Sequence, residues 1–261
     1  MPGSISLTGF AALKAGAGLS TCAVPESIQP IVAGYRPEVM VVPLPDGGSG
    51  CLTPEAAEQV LAMLPKYDVL ALGPGVTTQP PVREAIKQIL EGAQIPIVLD
   101  ADGLNCLAEL GPLEHKAPLV LTPHPGEMAR LMRTTTEAVL DDRFGIVEKC
   151  GSRFGATIVL KGAFSLVCQA GHDIAVNLGS NPGLATAGSG DVLTGAIAAL
   201  VHQVGAPFEA ACVGVFLHGP PVISNSLLLG TPVGDTAMDI AMHLSAKRSV
   251  ILDPERYLDN E

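Results

Sequence analysis

The feature that most constrains this chain is an alternation. Short apolar runs rich in β-branched residues recur between segments of helical periodicity. Val69–Leu72, Ile95–Leu99, Leu119–Leu121 and Thr157–Leu160 are almost wholly apolar, and a strand with no polar face must be covered on both sides. Leu19–Val24, Val39–Val42, Ser165–Cys168 and Ile174–Val176 complete the strand candidates, the last two reading as an antiparallel hairpin. Helical spacing covers Ser4–Gly16, Pro54–Leu64, Val82–Glu91, Gly103–Leu110, Gly126–Met132 and Glu137–Cys150. Two Ala- and Gly-rich helices follow at Asp191–Val204 and Phe208–His218. This order predicts an α/β fold: a mostly parallel sheet with helices on both faces. No repeat or linker divides the 261 residues, so a single domain is expected.

Charged residues make up 16% of the chain, below the usual share of about a quarter. That suits strands buried on both faces, or a surface partly buried in a homo-oligomer. Aromatics reach only 3% and Trp is absent, so Ala, Val, Leu and Ile must fill the core. The net charge of −11 argues against nucleic acid, which needs clustered Lys and Arg. It leaves nucleotides open, because backbone N–H groups at a helix N-terminus hold phosphate without a positive side chain. The six Cys form no CxxC and lie in apolar stretches, which reads as reduced buried thiols. The six His show no metal spacing. No apolar run approaches the ~20 residues of a membrane span, and the start has no basic region, so a cytoplasmic location is expected.

In open sheets of this kind ligands bind beyond the carboxyl ends of the strands. Four such ends are polar or Gly-rich here: Gly73-Pro74-Gly75, Asp100-Ala101-Asp102, Thr122–Glu127 and Lys161-Gly162. The strongest motif is Ala187-Gly188-Ser189-Gly190-Asp191, which opens an apolar helix. Its glycines let successive N–H groups converge on an anion, with the helix dipole in support. Asp191 beside that hole reads as a base, and the plainer reading is a helix cap. His124 between two prolines is held rigid at a strand end, as a substrate contact would be. Glu127 fits a cap as well as it fits a functional role. Asp102 reads as a cap, whereas Asp100 at the strand end is harder to dismiss. Whether Gly73-Pro74-Gly75 serves a ligand or only a tight turn, spacing alone leaves open. No Walker A, dinucleotide fingerprint or GxSxG elbow occurs, and Gly16-Ala17-Gly18 reads as a helix C-cap.

Taken in order, these segments resemble the NAD(P)H-hydrate dehydratase family, a branch of the ribokinase-like superfamily. The matches run from Met1-Pro2-Gly3-Ser4 through Leu72–Gly75, Leu99–Asn105, Leu121–Glu127 and Val159–Ala163 to Asn181–Asp191 and Leu217-His218-Gly219. The resemblance implies a ribokinase-like three-layer αβα sandwich. It implies that ADP or ATP, with magnesium, drives dehydration of (6S)-NADHX or NADPHX to NADH or NADPH. By the same resemblance Ser4, Gly75, His124 and Asp191 contact the hydrated dinucleotide, Ser4 standing where the family commonly has Ala. Lys161, Gly162, Ala163, Phe164 and Ser165, with Gly188, Ser189 and Gly190, hold the adenine nucleotide. Asp191 is the base, Glu127 helps place Mg2+, and a homo-oligomer, a tetramer in the family, is implied.

Two rivals remain at this stage: a kinase of a small vitamin-precursor alcohol, and a nucleotide-binding protein without catalysis. One further expectation concerns the start. A helix at Ser4–Gly16 in a βα fold calls for a strand ahead of it, of a unit roughly 20–30 residues long with its loop. The chain therefore reads as an N-terminally shortened form of the domain, with a groove beside the helix start. The other candidate to fill that place is Ser249–Leu252, which reads as a short strand.

Overall fold

The computed structural model describes residues 1–179, 181–219, 222–224, 227–229 and 234–252. Six strands form the central sheet in the order β3 (Leu70–Leu72), β4 (Ile97–Leu99), β5 (Leu119–Leu121), β6 (Thr157–Leu160), β7 (Leu166–Cys168) and β8 (Ala175–Val176). Pairings from β3 to β6 are parallel, and β6–β7 and β7–β8 are antiparallel. The hairpin expected near residues 165–176 is thus present. A separate parallel pair joins β1 (Thr21–Pro25) to β2 (Met40–Leu44), and β9 (Val222–Ser224) pairs antiparallel with β10 (Leu227–Leu229).

Side chains alternate across the sheet and divide by size. Val98, Val120, Val159 and Val167 face one cluster, with α1 (Pro2–Lys14), α9 (Ser189–Val204), α10 (Pro207–His218) and α11 (Ala237–Leu252). Ile97, Leu99, Leu119, Leu121, Ile158 and Leu160 face the other. There they meet α3 (Pro54–Met63), α4 (Pro80–Gly92), α5 (Asp102–Leu110), α6 (Pro125–Met132), α7 (Thr136–Asp141) and α8 (Arg143–Phe154). Both faces are covered, as unbroken apolar strands require. On the valine face the helices pack closely through glycine: Gly195 against Thr8 of α1 and Gly214 against Ile197 of α9 leave no room for a Cβ, and Gly9 packs as closely on Cys22. Residues of α2 (Gln29–Ala33) add Val32 to this side.

Two expectations change, and one open alternative closes. The helix read as Glu137–Cys150 is two, because the Asp142 carboxylate accepts the Gly145 N–H at 2.9 Å and starts α8 afresh. Ser249–Leu252 is not a strand but the last turn of α11. Four apolar residues cannot distinguish a period of 2 from one of 3.6. Asp191 does not cap α9; Gly188, in the left-handed region at φ 85°, holds the N-cap position.

Candidate active site

The carboxyl ends of β3 to β6 meet the amino ends of α1 and α9. This convergence follows from the connections, since each βα unit returns its helix antiparallel to its strand. Gly73 leaves β3 at φ 118°, and a Cβ there would run into the Asp100 carbonyl, so its close approach is to the neighbouring strand end. Next to it Gly75 (φ 69°) lies against Met1, whose backbone nitrogen donates to the Gly75 carbonyl at 2.5 Å. Asp102 is not the cap expected of it: Ala101, strained at φ 50°, takes that position. The Asp102 carboxylate instead accepts the Thr77 N–H at 2.9 Å, tying the β3–α4 loop to α5.

Asp100 is the hub. It is 1% exposed, and its two oxygens accept from the Lys161 ammonium at 2.7 Å and the Thr194 hydroxyl at 2.7 Å. A buried carboxylate survives only with such pairing. Lys161 also lies 3.7 Å from Glu127. Burial pulls its pKa down, yet Asp100 and then Glu127 outweigh this and hold it above the ordinary lysine value. Lys161 is therefore a fixed cation at the edge of the α9 N-terminus, where a Cβ on Gly190 would sit 3.4 Å from its Nζ.

At that N-terminus the Ser189 N–H is used by the Thr186 carbonyl and the Val192 N–H by the Gly188 carbonyl. Helix geometry leaves the Gly190 and Asp191 N–H groups without intrahelical acceptors, pointing at the site. The Ser189 hydroxyl turns inward, 3.1 Å from His218 Nε2. That ring nitrogen donates to the Ser189 carbonyl at 2.9 Å, which sets the tautomer. Burial pushes His218 down to about 4, so it is neutral. Ser4 lies near enough to the Asp191 carboxylate to lower its pKa, so two of the residues expected at the dinucleotide are neighbours. Burial raises the Asp191 pKa more than Ser4 and Lys161 lower it, which makes its carboxylate a stronger base than a solvated one.

His124 is the N-cap of α6. Its Nδ1 accepts the Gly126 N–H at 3.0 Å, and the Glu127 carboxylate accepts the His124 N–H at 2.8 Å, a reciprocal capping box. An accepting Nδ1 is unprotonated, in keeping with a pKa lowered chiefly by burial. The Nε2 side of the half-exposed ring lies 3.4 Å from the Glu127 carboxylate. Glu127 is 5% exposed and engaged by this cap and by Lys161, so it offers a magnesium ion charge rather than a free oxygen. Among the described residues no three His, Cys, Asp or Glu side chains are grouped to hold a metal. The Gly162–Ser165 turn closes on itself through Ser165 Oγ, 3.2 Å from the Gly162 carbonyl. Arg143 donates to the Phe164 carbonyl at 2.5 Å, and Phe164 and Ala163 are exposed at the rim.

Thr194 was not among the expected site residues, and His218 entered only within the Leu217-His218-Gly219 match, with no role given to it. Thr194 had a signal, lying four residues beyond Gly190 and three beyond Asp191 on one helical face.

A family model described as NAD(P)H-hydrate dehydratase matches residues 1–244. The bifunctional NAD(P)H-hydrate repair enzyme Nnr of Moorella thermoacetica is 45% identical over 222 residues, covering 84% of this chain and 42% of its own length. The ADP-dependent (S)-NAD(P)H-hydrate dehydratase of Neisseria meningitidis serogroup B is 46% identical over 157 residues, 59% of this chain and 53% of its own. The chain thus spans about half or less of the length of these relatives. Among solved structures, the ADP/ATP-dependent NAD(P)H-hydrate dehydratase from Bacillus subtilis superposes with TM-score 0.78 at 24% identity, covering 95% of this chain and 87% of that one. Phosphofructokinase-2 from Escherichia coli superposes with TM-score 0.59 at 16% identity, covering 93% and 86%. These likenesses establish the ribokinase-like fold, and a match over residues 1–244, joined to strand ends that fold into one polar site, makes this chain a member of the NAD(P)H-hydrate dehydratase family.

Proposed function

We propose that this chain dehydrates (6S)-NADHX or NADPHX to NADH or NADPH, with ADP or ATP as phosphoryl donor. The observation that carries it is the pairing of a basic, half-buried Asp191 with the open N–H groups of α9 and the fixed Lys161 cation. Hydroxide leaves poorly. Asp191 takes the proton of the hydrate's hydroxyl as its oxygen attacks the terminal phosphorus, releasing AMP when the donor is ADP. The Gly190 and Asp191 N–H groups and Lys161 stabilise charge growing on the transferred phosphoryl group. The ring nitrogen's lone pair then expels phosphate, and loss of the adjacent proton restores the dihydronicotinamide.

Ser4, Gly75 and His124 border the dinucleotide in this reading. Lys161, Gly162, Ala163, Phe164 and Ser165, with Gly188, Ser189 and Gly190, border the adenine nucleotide. The name of the Neisseria relative supports the choice of ADP. Magnesium would enter with the nucleotide's phosphates, since the protein carboxylates are already paired. Five buried cysteines fit a reducing compartment, the cytoplasm. No helix among the described residues is long and apolar enough to cross a membrane. Exposed Val213, Phe216 and Met242 on α10 and α11 support a homo-oligomer, with a tetramer expected from the family; sedimentation as a monomer at all concentrations would remove that part.

The test is to incubate the chain with ADP, magnesium and hydrated NADH and follow the return of NADH absorbance. A phosphorylated product accumulating without NADH would identify an alcohol kinase, and binding without turnover a nucleotide-binding protein.

A further inference from the structure

Thr194 takes no part in the proposed chemistry, yet its hydroxyl stands where two halves of the phosphate site meet. It lies one turn into α9 and is wholly buried. Its Oγ1 is 3.0 Å from the Gly190 carbonyl and 2.7 Å from Asp100 Oδ2. The first contact is ordinary, since a helical threonine often turns its hydroxyl back to the carbonyl four residues earlier. The second is not, because it reaches a carboxylate just past the end of β4, 94 residues away.

A hydroxyl has one hydrogen to give. The shorter, charge-assisted contact takes the larger share of it, so Thr194 serves Asp100 first. The Gly190 carbonyl keeps a donor all the same, because helix geometry supplies it with the Thr194 N–H. Asp100 has no such reserve. Among the described residues its side chain has one donor per oxygen, Lys161 at Oδ1 and Thr194 at Oδ2, each at 2.7 Å. The last torsion of an aspartate is broad, so a carboxylate held by one oxygen can still turn. Held by both, its plane is fixed. Solvent does not replace the hydroxyl, since Asp100 is 1% exposed and Thr194 0%.

The direction of that plane decides where Lys161 sits. A second carboxylate lies within its reach, Glu127 of α6, at 3.7 Å. The two acids draw the ammonium toward different places. A methyl on Gly190 would stand 3.4 Å from Lys161 Nζ and 3.6 Å from Asp100 Oδ2, so a lysine held by Asp100 stays beside the Gly190 N–H. A lysine drawn to Glu127 leaves it.

We infer that Thr194 is a positioning residue: its hydroxyl fixes the Asp100 carboxylate so that Lys161 stays at the amino end of α9 instead of moving toward Glu127. The ligand it serves is the phosphate group of the adenine nucleotide, reached through two intermediaries. The inference rests on the reading of α9 as the phosphate site given above.

The test separates the hydroxyl from the volume around it. Thr194→Val keeps the shape and loses the hydroxyl, whereas Thr194→Ser keeps the hydroxyl and loses a methyl. Binding of ADP with magnesium is measured by calorimetry on the full chain, with Tm beside it. Thr194→Val should weaken ADP on the order of 10-fold, the low end for a hydrogen bond to a charged group. Thr194→Ser should bind within about 3-fold of the parent, although its missing buried methyl lowers Tm. Asp100→Asn removes the charge that Thr194 aims. On that background Thr194→Val should change ADP affinity by less than about 2-fold, as expected of residues acting along one route.

A serine variant that binds more weakly than the valine one would overturn the inference by making Thr194 a packing residue. Equal binding by the parent and Thr194→Val would overturn it by making the hydroxyl dispensable, and full additivity with Asp100→Asn by routing the effect elsewhere. Should Thr194→Val not fold, Thr194→Ala removes the same hydroxyl and is read in its place. NMR of the Gly190 and Asp191 amides during ADP addition tells these failures from failure of the phosphate site itself. Shifts at both amides in the parent uphold the site, whatever Thr194→Val does. No shift at either removes the site, and the inference with it. None of these measurements needs turnover.

Discussion

At Asp191, the proposed base, burial raises the pKa and makes the charge costly. The folded pKa is raised, so the folded state holds a proton that the unfolded chain releases. The stabilising contribution is present below the unfolded value of about 3.9 and is lost as pH rises through the folded one. Asp191→Asn should therefore cut turnover by a factor on the order of 10²–10⁴ while Tm stays level or rises at neutral pH. A large fall in Tm would assign Asp191 a structural role. His218 works in the opposite direction. Its pKa, pushed down to about 4 by burial, makes stability full above pH ~6.5 and lost as pH falls toward 4. The effect is on the order of 3 kcal/mol over that window. His218→Gln keeps an N–H for the Ser189 carbonyl and does not titrate, so its Tm should decline less over the same acid range. An unchanged slope would refute this. Asp191 is legible in the sequence from the glycines that precede it. His218 is legible only within the Leu217-His218-Gly219 match, and its contact with Ser189 is not, because a histidine in an apolar helix carries no mark of what lies across the core.

At the scale of elements, the contact of α1 with α9 sets the position of Ser4 against Asp191. Gly195 makes that contact possible, since a Cβ there would fall inside the Thr8 carbonyl oxygen and 3.1 Å from the Ala11 methyl. Alanine would gain about 1 kcal/mol in helix propensity. Overpacking costs ~1–3 kcal/mol, and a backbone carbonyl cannot rotate aside as a side chain can. Gly195→Ala should therefore destabilise on balance, read as a lower denaturation midpoint with a loss of activity. An unchanged midpoint would mean that the helices slide apart freely. Element identity was largely legible here: the strands of the central sheet lie within the apolar runs that announce them. Boundaries and breaks were not. The split at Asp142 depends on a side-chain cap, and the helical state of Ser249–Leu252 depends on the preceding turns of α11.

For the whole molecule, ligand binding and stability are one measurement, because a ligand that binds only the folded state stabilises it. ADP at about 100 times its Kd should add roughly 2.7 kcal/mol and raise Tm. Gly190→Val should abolish that rise while the unliganded protein stays folded, since a first methyl meets Lys161 Nζ and Asp100 only at 3.4 Å and 3.6 Å. An ADP shift that survives in this variant would move the phosphate site away from α9. The amino-acid sequence by itself determined the layered α/β class, the anionic surface and the glycine-flanked Asp191. Each of these is a local property, written in residue spacing, charge count and motif. Only the tertiary structure decided that Lys161 answers Asp100 from 61 residues away and Thr194 from 94, and that β1 and β3 fall in different sheets. Periodicity reports which side of a segment is buried. It does not report which partner buries it, because charge compensation and edge pairing exist only once distant strands lie side by side.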